Sequence, residues 1–428
     1  MHARTFLIAL LLLGFSVTFA QAGTVLLDAN GAVVQLETGT YGELFPNSNE
    51  MAAGHQVLAL SVRTRDVTER LLVPGTESPW VETSATLVKD HGTVWVLWEG
   101  LHNAIHPLLY LVGHDGTSWG EVIEITGNPF AAKGHPQVAV TRNGDDSAAT
   151  RVHHVVWWED LATGSRKRLA PIVLFGDQQV GGTQPIDLID FLGDVEFYRE
   201  PASELANLLT LQQGATNRSV VVGFTDPRTG HLASLVIESL PEKLGALADN
   251  VRDQVLDVGK LTSDYSELAT QLLEVITELE ETGFLPSSLE YLGEQVAAAI
   301  AGEDANTSLP TLGEKIRQQM INIGARIERG GLEGETMIAQ IELGDGHRNH
   351  WLAVTVAAHR EAPLVGGPAT MSLSPDGKHM LLAWDEDGAV AWIESQDDRW
   401  SEVGRILVDP TMSRETAHSI LQQRVHDR

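Results

Sequence analysis

The sequence predicts a mainly β protein, built as a propeller-like array of four-stranded antiparallel units and interrupted by an inserted α-helical subdomain. Alternating apolar residues recur in units of about 40 to 45 residues, and similar turn signals separate the strands of each unit. Between Pro241 and Gly331 the apolar period changes from two residues to about 3.6, which is typical of helices. We therefore divide the chain into a signal peptide (1–22), the first part of the β array (23–240), a helical insertion (241–331), the last part of the array (332–410) and a C-terminal tail (411–428).

The first residues resemble an export signal. One basic residue, Arg4, precedes an apolar run from Phe6 to Ala20, which is shorter than the span of about 20 residues that crosses a bilayer. Ala20 and Ala22 are small residues at the two positions that a signal peptidase reads, so we expect cleavage before Gly23. The alternative is an uncleaved N-terminal anchor. We expect a periplasmic or secreted protein with no membrane span after cleavage.

Composition limits the classes of partner. The 428 residues include no cysteine, which excludes disulfides and thiolate metal sites. There are 58 Asp and Glu residues against 29 Lys and Arg residues, a formal net charge of −29. Because this charge repels phosphate backbones, nucleic acid is not an expected partner. A well-solvated surface explains the acidic excess more simply than a dedicated attraction for cations.

Three stretches of the β region can be laid over one another: 85–125, 137–175 and 369–408. Each predicts a strand, a tight turn, a second strand, a loop, a third strand, a turn and a fourth strand. Fainter copies lie at 56–73 and 219–237. A meander of this kind cannot bury both faces alone, so we expect neighbouring units to stack radially as propeller blades. A β-sandwich is the alternative.

The last copy contains Leu373-Ser374-Pro375-Asp376-Gly377-Lys378 before an apolar strand. This stretch resembles the TolB-like propeller repeat, and its Ser-Pro-Asp-Gly portion is similar to the sialidase Asp-box. The resemblance implies a propeller fold. Sialidases also have an Arg-Ile-Pro-like element and an arginine cluster, neither of which is found in this sequence, so the resemblance implies no reaction.

The helical insertion has an apolar stripe and several capping signals, and it is expected to form about four helices between two units. The stripe comprises Leu240, Leu244, Leu247, Val251, Val255 and Val258. Mutual packing of the helices is one possibility, and an open stripe that serves for docking or self-association is the other. The tail is expected to form a short polar helix or a frayed end.

Large aromatic residues recur near the end of the second strand of four copies, at Trp98, Trp158, Phe224 and Trp384. We expect them to pack between neighbouring units. The residues that follow them are Glu99, Glu159, Thr225 and Asp385. In a propeller the second strands end on one face, so the three carboxylates should gather around one end of a central channel.

These carboxylates have three possible roles: solvated strand ends, ligands for a bound molecule or cation, or an acid and base pair. The loop after Glu99 adds His102 and His106, but Pro107 argues against a helix that would present both to zinc. We take Glu99, Glu159, Asp385, His102 and His106 as candidate ligand-binding residues. We assign no catalytic residue, no metal ligand and no cofactor.

The sequence has no phosphate-binding Gly-x-x-x-x-Gly-Lys loop, and its one Gly-x-Ser-x-Gly pattern, at 116–120, lies between two predicted strands and not before a helix, so it predicts no nucleophile elbow. The sequence therefore favours an exported, non-catalytic propeller that binds a protein or a glycan at the carboxylate face. The alternatives are a glycan-active hydrolase that uses two of the carboxylates and a cell-envelope structural protein. Possible self-association is assigned to the helical insertion.

Overall fold

A computed structural model describes residues 25–239 and 334–427. Within these ranges it leaves out short stretches at 28–32, 49–52, 64–67, 77–80, 91, 101–107, 126–130, 144–149, 162–163, 176–177, 183–184, 194, 196–197, 335, 343–348, 397–398 and 410–411. The expected signal peptide and the whole expected helical insertion lie outside the described residues. The candidates His102 and His106 also lie outside them.

The mainly β prediction is confirmed, because the described chain forms five separate antiparallel sheets of four or five strands. Sheet I contains β1 (Val25–Leu27), β2 (Val33–Thr40), β3 (Gln56–Arg63) and β4 (Thr68–Leu72). Sheet II contains β5 (Val81–Asp90), β6 (Thr93–Gly100), β7 (Leu108–His114) and β8 (Ile123–Ile125). Sheet III contains β9 (Ala132–Asn143), β10 (Thr150–Leu161), β11 (Gly164–Phe175), β12 (Gln178–Gly182) and the short β13 (Ile186–Asp187).

Sheets IV and V follow the same antiparallel plan. Sheet IV contains β14 (Leu209–Gln213), β15 (Ser219–Thr225), β16 (Leu232–Ser239), β17 (Thr336–Glu342) and β18 (Asn349–Arg360). Sheet V contains β19 (Ala369–Leu373), β20 (Met380–Glu386), β21 (Ala389–Gln396), β22 (Arg399–Trp400) and β23 (Gly404–Leu407). A 3-10 helix at Leu188–Phe191, helix α1 (Tyr41–Leu44) and helix α2 (Arg414–His426) complete the described elements.

Apolar clusters join the sheets in chain order. One cluster is shared by sheets I and II, a second by sheets II and III, a third by sheets III and IV and a fourth by sheets IV and V. The alternation of strand residues explains this arrangement, since each sheet presents one set of side chains to the preceding sheet and the other set to the next. The core is therefore a series of layers between sheets.

Side-chain amides also connect the first strands of neighbouring sheets. Gln137 on β9 donates through Nε2 to the carbonyl of Leu209 at 2.9 Å, and its Oε1 accepts from the amide of Leu211 at 2.8 Å. Gln212 on β14 accepts from the amide of Leu373 on β19 at 3.1 Å. Polar contacts thus hold β9, β14 and β19 side by side at the edges of sheets III, IV and V.

The hairpin that begins sheet V contacts sheet IV through the Ser-Pro-Asp-Gly turn. Gly377 has a φ of +72°, and a Cβ there would come within 2.9 Å of the Ala357 side chain, so the turn requires glycine. The carbonyl of Gly377 accepts a 2.6 Å hydrogen bond from the Ser234 hydroxyl. The segment that resembles a propeller repeat is therefore a contact between two sheets.

The strands on either side of the expected helical insertion belong to one sheet. β16 precedes segment 240–333, β18 pairs with β16 after it, and β17 forms the outer edge. The expectation that this segment separates two units is wrong, because the chain returns to complete sheet IV. The sequence alone did not assign the strands between 336 and 360 to any unit.

The tail forms a helix, which is one of the two structures expected from the sequence. The helix packs against sheet V. Ala417, Leu421 and Val425 of α2 pack on one face of sheet V, with Leu381 and Val390. Ser413 caps the helix by accepting from the amide of Thr416. The face of sheet V that does not contact sheet IV is therefore covered by α2.

The prediction that Trp158 packs between sheets is wrong by one residue, because its neighbour Trp157 takes that place. Trp157 is fully buried between sheets II and III, whereas Trp158 is only partly buried. Alternation along β10 points Trp157 toward sheet II, and Trp158 packs on the other face against Gly134. The expected burial of Trp98, Phe224 and Trp384 is confirmed.

Candidate functional site

Two of the predicted site residues, Glu99 and Glu159, lie at the interface between sheets II and III. Glu99 is two residues after Leu97 on β6, and Glu159 is two residues after Trp157 on β10, so alternation places both on the faces that share an apolar cluster. Glu99 is 2% exposed and Glu159 is 0% exposed. The solvated alternative for these two carboxylates is therefore wrong.

Both carboxylate oxygens of Glu159 accept internal hydrogen bonds. The indole Nε1 of Trp157 donates to Oε1 at 3.1 Å, and Arg168 Nε donates to Oε2 at 3.1 Å. Ionised groups are buried at high cost unless they are paired in this way. The interactions of Glu159 therefore stabilise the junction of β10 and β11.

Lys133 connects the two glutamates electrostatically. Its side chain is buried beside them at the start of β9, which pairs with β10 so that Lys133 and Glu159 lie opposite each other. Burial lowers the pKa of Lys133, and the charges of Glu159 and then Glu99 oppose that effect. The predicted proximity of two carboxylates thus occurs inside the protein, in a cluster that also contains two cations.

Asp385, the third predicted carboxylate, has different partners. It accepts from Arg414 Nη1 at 3.1 Å and contacts His418 Nε2 at 3.2 Å, both on α2. Burial would raise the pKa of Asp385, but the hydrogen bonds from His418 and Arg414 outweigh it and lower the pKa. Asp385 therefore fastens the helix to sheet V, with a side chain that remains 57% exposed.

A fourth acidic residue, Asp226, was missed because it comes one residue later than its counterparts. The aligned position in sheet IV is Thr225, and Asp226 follows it at the start of the hairpin turn to β16. The amide of Asp226 donates to the carbonyl of His231, and Gly230 closes the turn with a φ of +69°. The sequence signal was the Asp-Pro pair directly after an apolar strand.

Asp226 is fully buried and contacts an arginine and a histidine. Arg228 makes a bidentate pair, with Nε donating to Oδ1 at 3.0 Å and Nη2 donating to Oδ2 at 3.2 Å. His359 Nε2 lies 3.4 Å from Oδ2. Burial alone would raise the pKa of Asp226, but the hydrogen bonds from His359 and Arg228 leave it well below its usual range. Asp226 is thus an ionised carboxylate that orients an imidazole.

A second imidazole lies beside His359. The rings of His231 and His359 have centroids 5.1 Å apart, with planes inclined by 52°. Burial and the neighbouring His359 lower the pKa of His231, while Glu361 and Asp226 oppose them. The lowered pKa of His231 favours its neutral form, in which the ring can donate or accept a hydrogen bond.

The loops next to this histidine pair expose large side chains. Tyr198 is 79% exposed and Leu364 is 93% exposed. Arg199 and Glu361 link the two loops through an ion pair of 3.1 Å, and the amide of Arg199 donates to the carbonyl of Arg228. We call the surface formed by Tyr198, Arg199, Glu361 and Leu364 the loop patch.

The opposite end of the sheets also contains buried polar groups. Asp90 pairs with Arg142 and with Arg151, the latter at 3.0 Å. His154 Nε2 shares a 2.9 Å hydrogen bond with the Thr141 hydroxyl, which is 2.5 Å from the Ser239 hydroxyl. Burial lowers the pKa of His154 to about 3 and that of His350 to about 4. These imidazoles are uncharged inside the fold.

The part of the chain that the structure describes lacks two specialised features. No group of three or more His, Asp or Glu side chains there is arranged to hold a metal ion. No helix among the described residues is long and apolar enough to cross a membrane. Comparison with protein-family models, curated proteins and solved structures finds no match for this chain.

Proposed function

We propose that this chain is an exported, non-catalytic binding protein whose ligand contacts the loop patch. The observation that carries the proposal is the exposure of Tyr198 and Leu364 on two loops joined by the Arg199–Glu361 pair. Aromatic residues and arginine are enriched where proteins bind one another, whereas isolated exposed leucines are ordinary. Here an aromatic, an arginine and an aliphatic side chain occur together.

The patch favours a protein ligand over a glycan. Tyrosine can stack on a sugar ring, but Leu364 offers only an aliphatic surface, which is desolvated most favourably by apolar side chains of another protein. A glycan remains the second candidate because Tyr198 stands beside polar groups of Arg199 and Glu361. In either case the proposed ligand contacts the loop patch and not the candidate carboxylates Glu99, Glu159 and Asp385.

The state of the carboxylates supports a non-catalytic role. A general acid or base must be within hydrogen-bonding reach of its substrate and have a pKa near the working pH. Glu159 is fully buried with both oxygens engaged, and the pKa values of Asp226 and Asp385 are lowered. These features suit fixed ion pairs rather than proton transfer, which weakens the glycan hydrolase alternative.

We propose further that the five sheets are blades of a propeller-like array. Support comes from the apolar clusters between successive sheets and from the amide contacts that align β9, β14 and β19. In this arrangement the second strands of all blades end on one face, which also contains the loop patch. Helix α2 covers a face of sheet V, so the proposed array has an end at that sheet.

A capture experiment with matched surface variants tests the proposed ligand surface. The purified protein is immobilised and exposed to envelope and secreted fractions of its source cells and, in parallel, to a glycan array. The test variant is Tyr198→Ser with Leu364→Ser, and the control is Leu407→Ser, which removes an exposed apolar side chain from β23. We expect the wild type and the control to retain the same ligand and the test variant to lose it, with unchanged melting temperatures.

Two outcomes would overturn the proposal. Equal retention by all three proteins would place the ligand elsewhere. Turnover of chromogenic glycosides that disappears in Glu99→Gln or Glu159→Gln would support the hydrolase instead.

A further inference from the structure

We propose that the end of sheet III opposite the loop patch is an acid-operated switch, in which protonation of His153, His154 and His350 separates sheet III from sheets II and IV. All three side chains are buried. A neutral imidazole can be buried at modest cost, whereas an imidazolium ion inside a fold carries a large desolvation cost unless it is paired. Buried histidine clusters can therefore act as pH sensors. This proposal is independent of the ligand assigned to the loop patch.

His153 lies at the interface between sheets II and III. It is on the same face of β10 as Val155 and Trp157, which belong to the apolar cluster between these sheets. Its ring is fully buried, and the ring centroid lies 4.4 Å from that of Trp95 on β6. Neither ring nitrogen has a hydrogen-bond partner among the described residues. Protonation of this ring would therefore bury a charge without an acceptor in that part of the chain.

The charged groups packed around His153 also disfavour its protonation. Arg151 is on the same face of β10, and Arg142 lies opposite Arg151 on β9. Both arginines pair with Asp90 on β5, so these three groups together carry one net positive charge. Burial, and then the charges of Arg151, His154 and Arg142, lower the pKa of His153. Asp90 is therefore engaged by two cations and does not compensate a third.

His154 and His350 face the interface between sheets III and IV. The His154 ring is fully buried, and its hydrogen bond to Thr141 continues to the hydroxyl of Ser239 on β16. His350 is on the same face of β18 as Leu352, which belongs to the apolar cluster between these sheets. Within the described part of the chain, His154 Nδ1 and His350 Nε2 have no hydrogen-bond partner. Protonation would therefore disfavour this interface as well.

The other interfaces between sheets should be less sensitive to acid. Among the described residues, no histidine is buried between sheets IV and V. His114 is buried at the end of β7, but the charges of Asp115 and Glu69 oppose the lowering of its pKa by burial. Arg218, a cation, adjoins the junction of sheets III and IV, because its carbonyl accepts from the amide of Ser239. We therefore expect acid to open the two interfaces of sheet III first.

Hydrogen exchange of the full chain at pH 7 and pH 5, corrected for intrinsic exchange rates, tests the switch. Because the pKa values of the three histidines are lowered in the folded state, their contribution to stability is complete above about pH 6.5 and is lost as the pH falls below it. Each histidine that is protonated only in the open state raises the ratio of open to closed molecules by about tenfold per pH unit, or about 30-fold at pH 5. We expect β9 and β10 to lose protection by this factor or more, and β19, β20 and β21 to keep theirs.

Three variants and a control identify the groups that bind the protons. His153→Phe keeps a ring against Trp95, and His154→Gln and His350→Gln remove the other two imidazoles. The control is His426→Gln, which removes an exposed histidine at the end of α2. Each test variant should lose about 30-fold less protection at pH 5 than the wild type, since one proton fewer is bound on opening. The control should match the wild type. A wild-type loss of protection in all three test variants would overturn the proposal.

Histidine side-chain NMR of the wild type decides the question even where a variant does not fold. At pH 5.5, in the native protein, at least three of the 16 histidine rings should remain neutral. Protonation of all 16 rings in the native protein would contradict the switch. Unchanged protection of β9 and β10 at pH 5, or an equal loss in β19, β20 and β21, would contradict it as well.

Discussion

Acidic residues lie near the end of the second strand both at the interface between sheets II and III and in sheet IV. Their surroundings at these two places differ. At the first, Glu99 and Glu159 are covered by the neighbouring sheet, and their partners are internal. At the second, Asp226 is equally buried, but its partner His359 reaches the surface and adjoins His231 and the loop patch. The role of an acidic residue at this position therefore depends on the elements packed around it and not on its place in the repeat.

Removing the apolar support of the buried interface should have the largest effect. We expect Trp157→Ala to destabilise the protein by about 3 to 5 kcal/mol, the usual cost of emptying a buried aromatic site, and Trp98→Ala and Trp384→Ala to cost a similar amount. Trp158→Ala should cost clearly less, because that side chain is only partly buried. Denaturant unfolding measures all four. Equal losses for Trp157 and Trp158 would contradict the assigned faces of β10.

Breaking the ion pair at the same interface should be almost as costly. Arg168→Met removes one of the two cations beside the fully buried Glu159, and removing one partner of a buried pair typically destabilises by about 3 to 5 kcal/mol. The double variant Arg168→Met with Glu159→Met removes both charges and should recover part of the loss. A double variant less stable than Arg168→Met would show that the pair does not act as a unit.

Acid should weaken the fold through the buried histidines at the other end of the sheets. The pKa of His154 is about 3 in the folded protein, against about 6.5 for an unperturbed histidine, so the unfolded state binds more protons as the pH falls below 6.5. Stability is therefore complete above pH 6.5 and declines below it. At about 1.4 kcal/mol per pKa unit, this one group should cost about 2 kcal/mol at pH 5.

Unfolding curves at several pH values measure this slope, and His154→Gln supplies the comparison. His350, on β18, also acts on His154 and remains in that variant, so we expect the slope to be reduced rather than abolished. An unchanged slope in His154→Gln would contradict the assignment.

The smallest change in stability should come from breaking the exposed ion pair of the loop patch. Arg199→Met breaks the Arg199–Glu361 pair, whose side chains are 74% and 73% exposed. Exposed pairs contribute at most about 1 kcal/mol, so the melting temperature should hardly change. A loss as large as that of Arg168→Met would mean that the loop patch is part of the folded core and not a ligand surface.

Local signals made the β units predictable. The strands of sheets II, III and V follow the alternation and the turns read from the sequence, including the Pro375-Asp376-Gly377 turn, where the positive φ of Gly377 requires glycine. Sheet IV was recognised only in part, because β18 pairs with β16 across segment 240–333. The alternation within a strand does not reveal which distant strand it pairs with.

The candidate site was less predictable than the fold. Sequence alignment of the copies identified Glu99, Glu159 and Asp385, but burial of the first two depends on the neighbouring sheet, which periodicity does not reveal. The alignment of the copies missed Asp226 because this residue lies one position after the aligned Thr225. His231 and His359 are far apart in the chain and become neighbours only through the β16–β18 pairing, so no local motif could have joined them.

We expect helix α2 to protect the protein from aggregation. It covers an apolar surface of sheet V that includes Leu381. Arg424 of α2 binds Glu394 on sheet V, and its guanidinium carbon lies 4.4 Å from the centre of the Trp392 ring. Repeat arrays need a polar outer layer at their ends to stay in solution. A molecule with a loosened α2 would expose a flat sheet to like sheets of other molecules, so precipitation would begin at this helix while the remaining layers were still folded.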